Sequence, residues 1–213
     1  MKPVRRLKKL RIIASRRAMR LKSLINACVV PITSDGDRVV AFVVIEALNL
    51  WASFARAYYL SCVLKATTEA GGRVAIVNST IRTVTDALGF SVKLFKPHVR
   101  SSGPFSRREE PAWHDTSNLL KVLTSLGASN IAQVQAALSY PTSVFKQLPV
   151  ARNFFAHRNE DTARKTTGIA RDLGLSVNAR PSEMLCEKAK GRPQNVLADW
   201  LDDLRIVIEL MCR

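Results

Sequence analysis

Apolar residues recur along this chain at three- and four-residue steps, the interval that gathers them on one face of a helix. Leu7, Leu10, Ala14, Leu21, Leu24 and Cys28 form the first such seam. Asp35-Gly36-Asp37 marks a turn and a helix start, and a long apolar helix is expected from there to about Thr67. Val40, Val43, Ala47, Leu50, Phe54, Ala57 and Ser61 step along one side of it. Val44, Leu48, Trp51, Tyr58 and Cys62 line another. A helix apolar on several sides belongs at the centre of a bundle.

Gly71-Gly72 closes this unit, and Val74, Val77, Ile81, Val84 and Leu88 then recur at heptad-like spacing up to Gly89. The spacing predicts a helix, although its β-branched residues also suit a strand. Pro, Gly, Ser and charged residues make 97–115 the one long loop. Short helices are expected over Thr116–Leu126, capped by Gly127, and Asn130–Ser139, capped by Ser129 and stopped by Pro141. A longer helix is expected from Pro149 to Leu173, with Gly174 as its C-cap. If it starts at Ser143 instead, Pro149 kinks it. A short piece over Ser182–Ala189 precedes a last helix from Pro193, with Leu197, Trp200, Leu201, Leu204, Ile208 and Met211 as its seam. With strand alternation nearly absent, the fold class is all-α. It divides into a basic amphipathic N-terminal helix at 1–34 and a helical bundle at 35–213 carrying the loop at 97–115.

Charge then narrows the partners. The 213 residues carry a net charge of +16, and ten basic residues precede the first acid, Asp35. Such an excess favours a polyanion, RNA above all. Arg16, Arg17 and Arg20 on the first helix are candidate RNA contacts. The same helix could lie on an anionic membrane, which makes a basic peripheral membrane protein the third-ranked reading. Residues 39–64 are long and apolar enough to span a bilayer, but Glu46, Asn49 and Arg56 lie near the middle, which argues for a soluble bundle. Cys28, Cys62, Cys186 and Cys212 are scattered, as are the three histidines, so no metal, cofactor or disulfide framework is expected. Free thiols and no visible secretory signal fit a cytoplasmic protein.

The chemistry-bearing stretch is Ala151-Arg152-Asn153-Phe154-Phe155-Ala156-His157-Arg158. It resembles the HEPN superfamily, whose ribonucleases carry Arg, four to six residues and then His, commonly with Asn directly after the Arg. Arg108 and His114 also fit the bare spacing, but they lie in the loop, where no helix would fix them. The helix bearing Glu46, Asn49, Trp51, Phe54 and Arg56 is similar to the helix that packs beside the motif in some HEPN families. The resemblance implies a HEPN-like helical bundle, a homodimer with the two motifs facing across its two-fold, and metal-independent RNA cleavage. It also implies a toxin or antiviral-defence effector, with an antitoxin or other regulatory partner. In members controlled by a nucleotidyltransferase, a Tyr often stands two residues after the His; here that residue is Asn159.

The residues agree with that chemistry. Cutting RNA through the 2′-OH needs a group that moves protons near neutral pH, a role for His157. It needs a fixed cation on the phosphate, a role for Arg152. Asn153 lies four residues before His157, on the same helix face. Arg152 and His157, five apart, diverge by about 140° on an ideal helix, so the site is expected to form between two chains. Glu46, Asn49, Ser53 and Arg56 form a polar stripe. In it Glu46 pairs with Arg56 through Asn49 or with a neighbouring helix, or else orients Arg152 or His157, and Arg56 and Arg158 add affinity for RNA. His98 and His114 flank the loop, where Lys93, Lys96, Arg100, Arg107 and Arg108 are placed to close over RNA and Phe105 or Trp113 to stack on a base. The alternative function is RNA binding without catalysis.

Overall fold

Capping chemistry sets where the helices begin and end. The computed structural model describes residues 1–78, 80–98 and 105–213, and these contain nine α-helices and no strand. They are α1 (Leu7–Asn26), α2 (Ser34–Val63), α3 (Val84–Phe95), α4 (Thr116–Leu126), α5 (Ile131–Leu138), α6 (Val144–His157), α7 (Glu160–Asp172), α8 (Pro181–Cys186) and α9 (Val196–Cys212). The all-α expectation holds. The chain divides into two compact units that interleave in sequence. One comprises Met1–Ala14, Trp51–Tyr140 and Val207–Arg213, and the other Ser15–Leu50 and Pro141–Ile206. Residues 1–34 therefore contribute to both units.

In the first unit, α2 supplies Trp51, Phe54, Tyr58 and Tyr59, all buried. Neighbouring rings along the helix lie 5.7–5.8 Å apart. The Tyr58 hydroxyl donates to the Met211 carbonyl at 2.9 Å and accepts from Asn130 Nδ2 at 2.7 Å. The Tyr59 hydroxyl donates to the Ala87 carbonyl. Each polar tip therefore has the partner that burial demands. Asp115 caps α4 by accepting from the Ser117 N–H, and Gly127 closes it in the left-handed region at φ 65°. A Cβ at Gly127 would lie 2.8 Å from Val77 Cβ. Gly127→Ala is expected to lower stability by at least the ~1–2 kcal/mol of a left-handed L-residue, read as a fall in the thermal midpoint.

Three sequence expectations do not hold in the structure. The heptad run from Val74 to Leu88 is not one helix, because helix starts only at Val84, where Thr83 and Asp86 form a reciprocal capping box. Upstream of it, Ile76 bridges to Ala128, Thr67 bridges to Arg73, and Val77 is 83% exposed. Gly89 lies inside α3, against the Phe105 ring. The cap of α5 is Asn130; the Ser129 hydroxyl instead accepts from the Ala75 N–H at 2.9 Å. The loop is not an open flap over its described part. Trp113 is 5% exposed, stacks on Tyr59 and donates to Glu110, so it has no face left for a base. Lys96 Nζ donates to the Arg108 carbonyl. Arg100 lies outside the described residues.

In the second unit, Ala18, Leu21 and Ile25 continue the α1 seam that Leu7, Leu10 and Ala14 open in the first. The expected seam drifts at its end: Leu24 is 43% exposed and Cys28 lies beyond the helix. Thr33 caps α2 by accepting from the Gly36 N–H. Val40, Val43, Val44, Ala47 and Leu50 are fully buried, so the span-like helix spends its apolar side on protein core. The segment read as one helix from Pro149 to Leu173 is two. Helix α6 starts at Val144 and passes through Pro149; Arg158 then turns left-handed at φ 43°. Asn159 begins α7 in a capping box with Thr162, and Glu160 and Asp161 suit the positive end of its dipole.

Candidate active site

The motif occupies the C-terminal half of α6. Val144, Gln147, Leu148, Ala151 and Phe155 face the core of their unit. This buried stripe fixes the rotation of the helix and turns Asn153 and His157 outward. His157 is the last helical residue, and the Arg158 N–H closes the turn on the Phe154 carbonyl at 2.6 Å. Arg152 is half-buried, with Nη1 3.5 Å from Asn153 Oδ1, the outer limit of a hydrogen bond. Among the described residues the His157 side chain makes no hydrogen bond or ion pair. Because Pro149 is the sixth residue of α6, the free N–H groups of a helix start lie near Val144 and not beside Arg152.

Arg158 is not simply solvated. Its Nη1 lies 2.7 Å from Asp37 Oδ2, and its guanidinium carbon sits 5.5 Å from the Phe155 ring centre. Beside it opens a cleft of about 510 Å³ that also receives Arg38, Phe154 and Arg180. The Arg180 guanidinium donates to the Ile32 carbonyl at 2.9 Å and to Glu183 at 2.6 Å. Sequence reading missed Asp37, Arg38 and Arg180, because residues this far apart carry no local pattern that joins them. The Arg38 and Arg158 side chains are 81% and 48% exposed at this cleft.

The polar stripe on α2 breaks into two separate pairings. Glu46 accepts from Asn49 Nδ2 at 2.9 Å and pairs with Arg17. The Asn49 hydrogen bond and the Arg17 charge hold its carboxyl below the ordinary range, against partial burial. Arg56 instead makes two hydrogen bonds to Glu110, at 2.5 and 2.9 Å, where the carboxylate is 1% exposed. Of the two structural alternatives for Glu46, the link to Arg56 is not made and the pairing with a neighbouring helix is, through Arg17 of α1; Arg56 is spent on a buried partner. Among the described residues Glu46 makes no hydrogen bond or ion pair with Arg152 or His157. Of the three α1 arginines named as candidate RNA contacts, Arg17 is engaged by Glu46, while Arg16 and Arg20 are exposed. Among the described residues no three His, Cys, Asp or Glu side chains gather as a metal site.

The fold and these residues define an all-α basic protein with an outward-facing Asn…His pair beside a half-buried Arg on one helix. No family model matches the chain, and no curated protein or solved structure shows a match to it.

Proposed function

We propose that this protein is a metal-independent endoribonuclease of HEPN type, acting as a homodimer. The observation that carries the reading is the outward Asn153–His157 pair beside Arg152. Among the described residues these polar side chains bond only to one another, at the Arg152–Asn153 contact, and so are open to substrate. His157 takes the proton from a ribose 2′-OH, and the 2′-oxygen attacks the adjacent phosphorus. The bond to the 5′-oxygen breaks, that oxygen gains a proton, and the ends are a 2′,3′-cyclic phosphate and a 5′-OH. Arg152 binds the non-bridging oxygens as negative charge builds on them. Asn153 orients the imidazole. Arg158, Arg16 and Arg20 hold the flanking backbone by charge. By family analogy alone, the role is that of a toxin or antiviral-defence effector under an antitoxin or similar partner.

The chemistry is tested with an oligoribonucleotide whose scissile residue is replaced by its 2′-deoxy counterpart. The all-ribose strand is expected to be cut to cyclic-phosphate ends and the substituted strand to stay whole at that position. Equal cutting of both would remove the 2′-OH mechanism. One observation favours the second reading, an RNA-binding protein without catalysis: within one α6, Arg152 and His157 diverge. Salt-sensitive RNA binding with no cleavage would select it.

A further inference from the structure

Four cysteines are spread along the sequence, yet two of them lie on adjoining segments. Asn195 bridges to Lys188, two residues after Cys186, and its side chain donates to Asn26, two residues before Cys28, so the two cysteines lie on adjoining segments. Both are half-buried, whereas Cys62 and Cys212 are buried. Cys28 lies just beyond α1; its N–H donates to the Ile25 carbonyl at 3.1 Å and its thiol lies 3.7 Å from the Leu24 carbonyl. Cys186 is the last residue of α8. Two contacts tie the same neighbourhood together. The Arg180 guanidinium, at the start of α8, donates to the Ile32 carbonyl at 2.9 Å, and Asn195 Nδ2 donates to Asn26 Oδ1 at 3.4 Å. Cys28 and Cys186 therefore lie on segments anchored to each other on both sides, not at the tips of loose ends.

We infer that Cys28 and Cys186 form a modification site, at which a peroxide-class oxidant joins them as an intramolecular disulfide. One thiolate attacks a peroxide oxygen; the sulfur–oxygen bond forms as the oxygen–oxygen bond breaks, and hydroxide leaves. The second thiolate then attacks the sulfenic sulfur; the disulfide forms as the sulfur–oxygen bond breaks. Two thiol protons and one hydrogen peroxide leave as two waters, and the sulfur pair has given up two electrons. Burial pushes both thiols up, Cys186 to about 12, so the thiolate is scarce and the reaction is slow at neutral pH. The new bond would tether the segment ahead of α2 to α8, the two stretches that bring Ser34 and Arg180 to the cleft beside Arg158. It stands whether or not the chain cuts RNA.

The test uses the full chain, reduced, freed of reductant and held in hydrogen peroxide. It is then digested without reduction for mass spectrometry. A peptide pair joined through Cys28 and Cys186 is expected, with two thiols lost. The thermal midpoint is expected to rise by about 10 °C, since the bond closes a long loop, and dithiothreitol should reverse both changes. Cys28→Ser and Cys186→Ser should each abolish the link and the rise. Should Cys186→Ser fail to fold, Cys28→Ser, outside any helix, carries the test alone. Links between two chains, oxidation of one cysteine to the sulfinic acid without pairing, or four surviving thiols would each overturn the inference.

Discussion

Mixing Arg152→Ala subunits with His157→Ala subunits is expected to restore about a quarter of wild-type RNA cleavage. Each variant alone is expected to be roughly 10²–10⁴-fold slower than the wild type, the range for loss of a positioned proton-transfer group or phosphate clamp. The reasoning is geometric. On α6 the two side chains are five residues apart and point in divergent directions, so one helix presents them poorly to one phosphate. In a two-fold dimer, His157 of one chain can meet Arg152 of the other. A mixed dimer then holds one site with both wild-type groups and one site with neither, and half of randomly exchanged dimers are mixed. Recovery of activity on mixing, after subunit exchange has been verified, is the readout. A site contained within one chain predicts no recovery at all.

Arg56→Ala is expected to destabilise the fold by about 3–5 kcal/mol, the usual loss when one partner of a buried ion pair is removed. Glu110 is 1% exposed and accepts both hydrogen bonds of the Arg56 guanidinium. Without them it keeps the Trp113 indole N–H at 2.8 Å and the more distant Arg107 at 3.6 Å. A carboxylate that deep cannot turn to water. The double change Arg56→Met with Glu110→Leu should recover most of the loss, because it removes the stranded charge along with its partner. Urea unfolding of the single and double variants measures both. If Arg56 acted only on RNA, the single variant would unfold like the wild type.

How much of this was readable beforehand depends on whether the signal was local. The α4 helix was, because its Asp115 cap and Gly127 terminator flank an uninterrupted apolar pattern. The α9 seam was, because Leu197, Trp200, Leu201, Leu204, Ile208 and Met211 keep helical spacing without a break, and all six are buried. The run from Val74 to Leu88 had the same spacing without the burial: Val77 is exposed, and the stretch before Thr83 bridges to neighbouring chain. Periodicity alone does not separate these cases. The break between α6 and α7 was carried by Asn159-Glu160-Asp161, a start signal masked by good helix formers on both sides.

The candidate site divides in the same way. Arg152, Asn153 and His157 were legible because they are contiguous on one helix. Where Arg56 finds Glu110, where Arg17 finds Glu46 and where Arg158 finds Asp37 were not. Each pairing is set by tertiary approach of residues at least 29 positions apart, such as Arg17 and Glu46. A charge at helical spacing tells which side of a helix it is on, not which partner comes to meet it.

The central claim, that His157 moves the proton in RNA cleavage, is tested most directly by incubating wild type and His157→Ala with RNA in excess EDTA. His157 is exposed at the end of α6, so the substitution should leave the thermal midpoint unchanged. The account predicts cleavage by the wild type in EDTA and its loss, by about 10²-fold or more, in the variant. Wild-type cleavage that survives unaltered in His157→Ala, or that stops when EDTA is added, would contradict it.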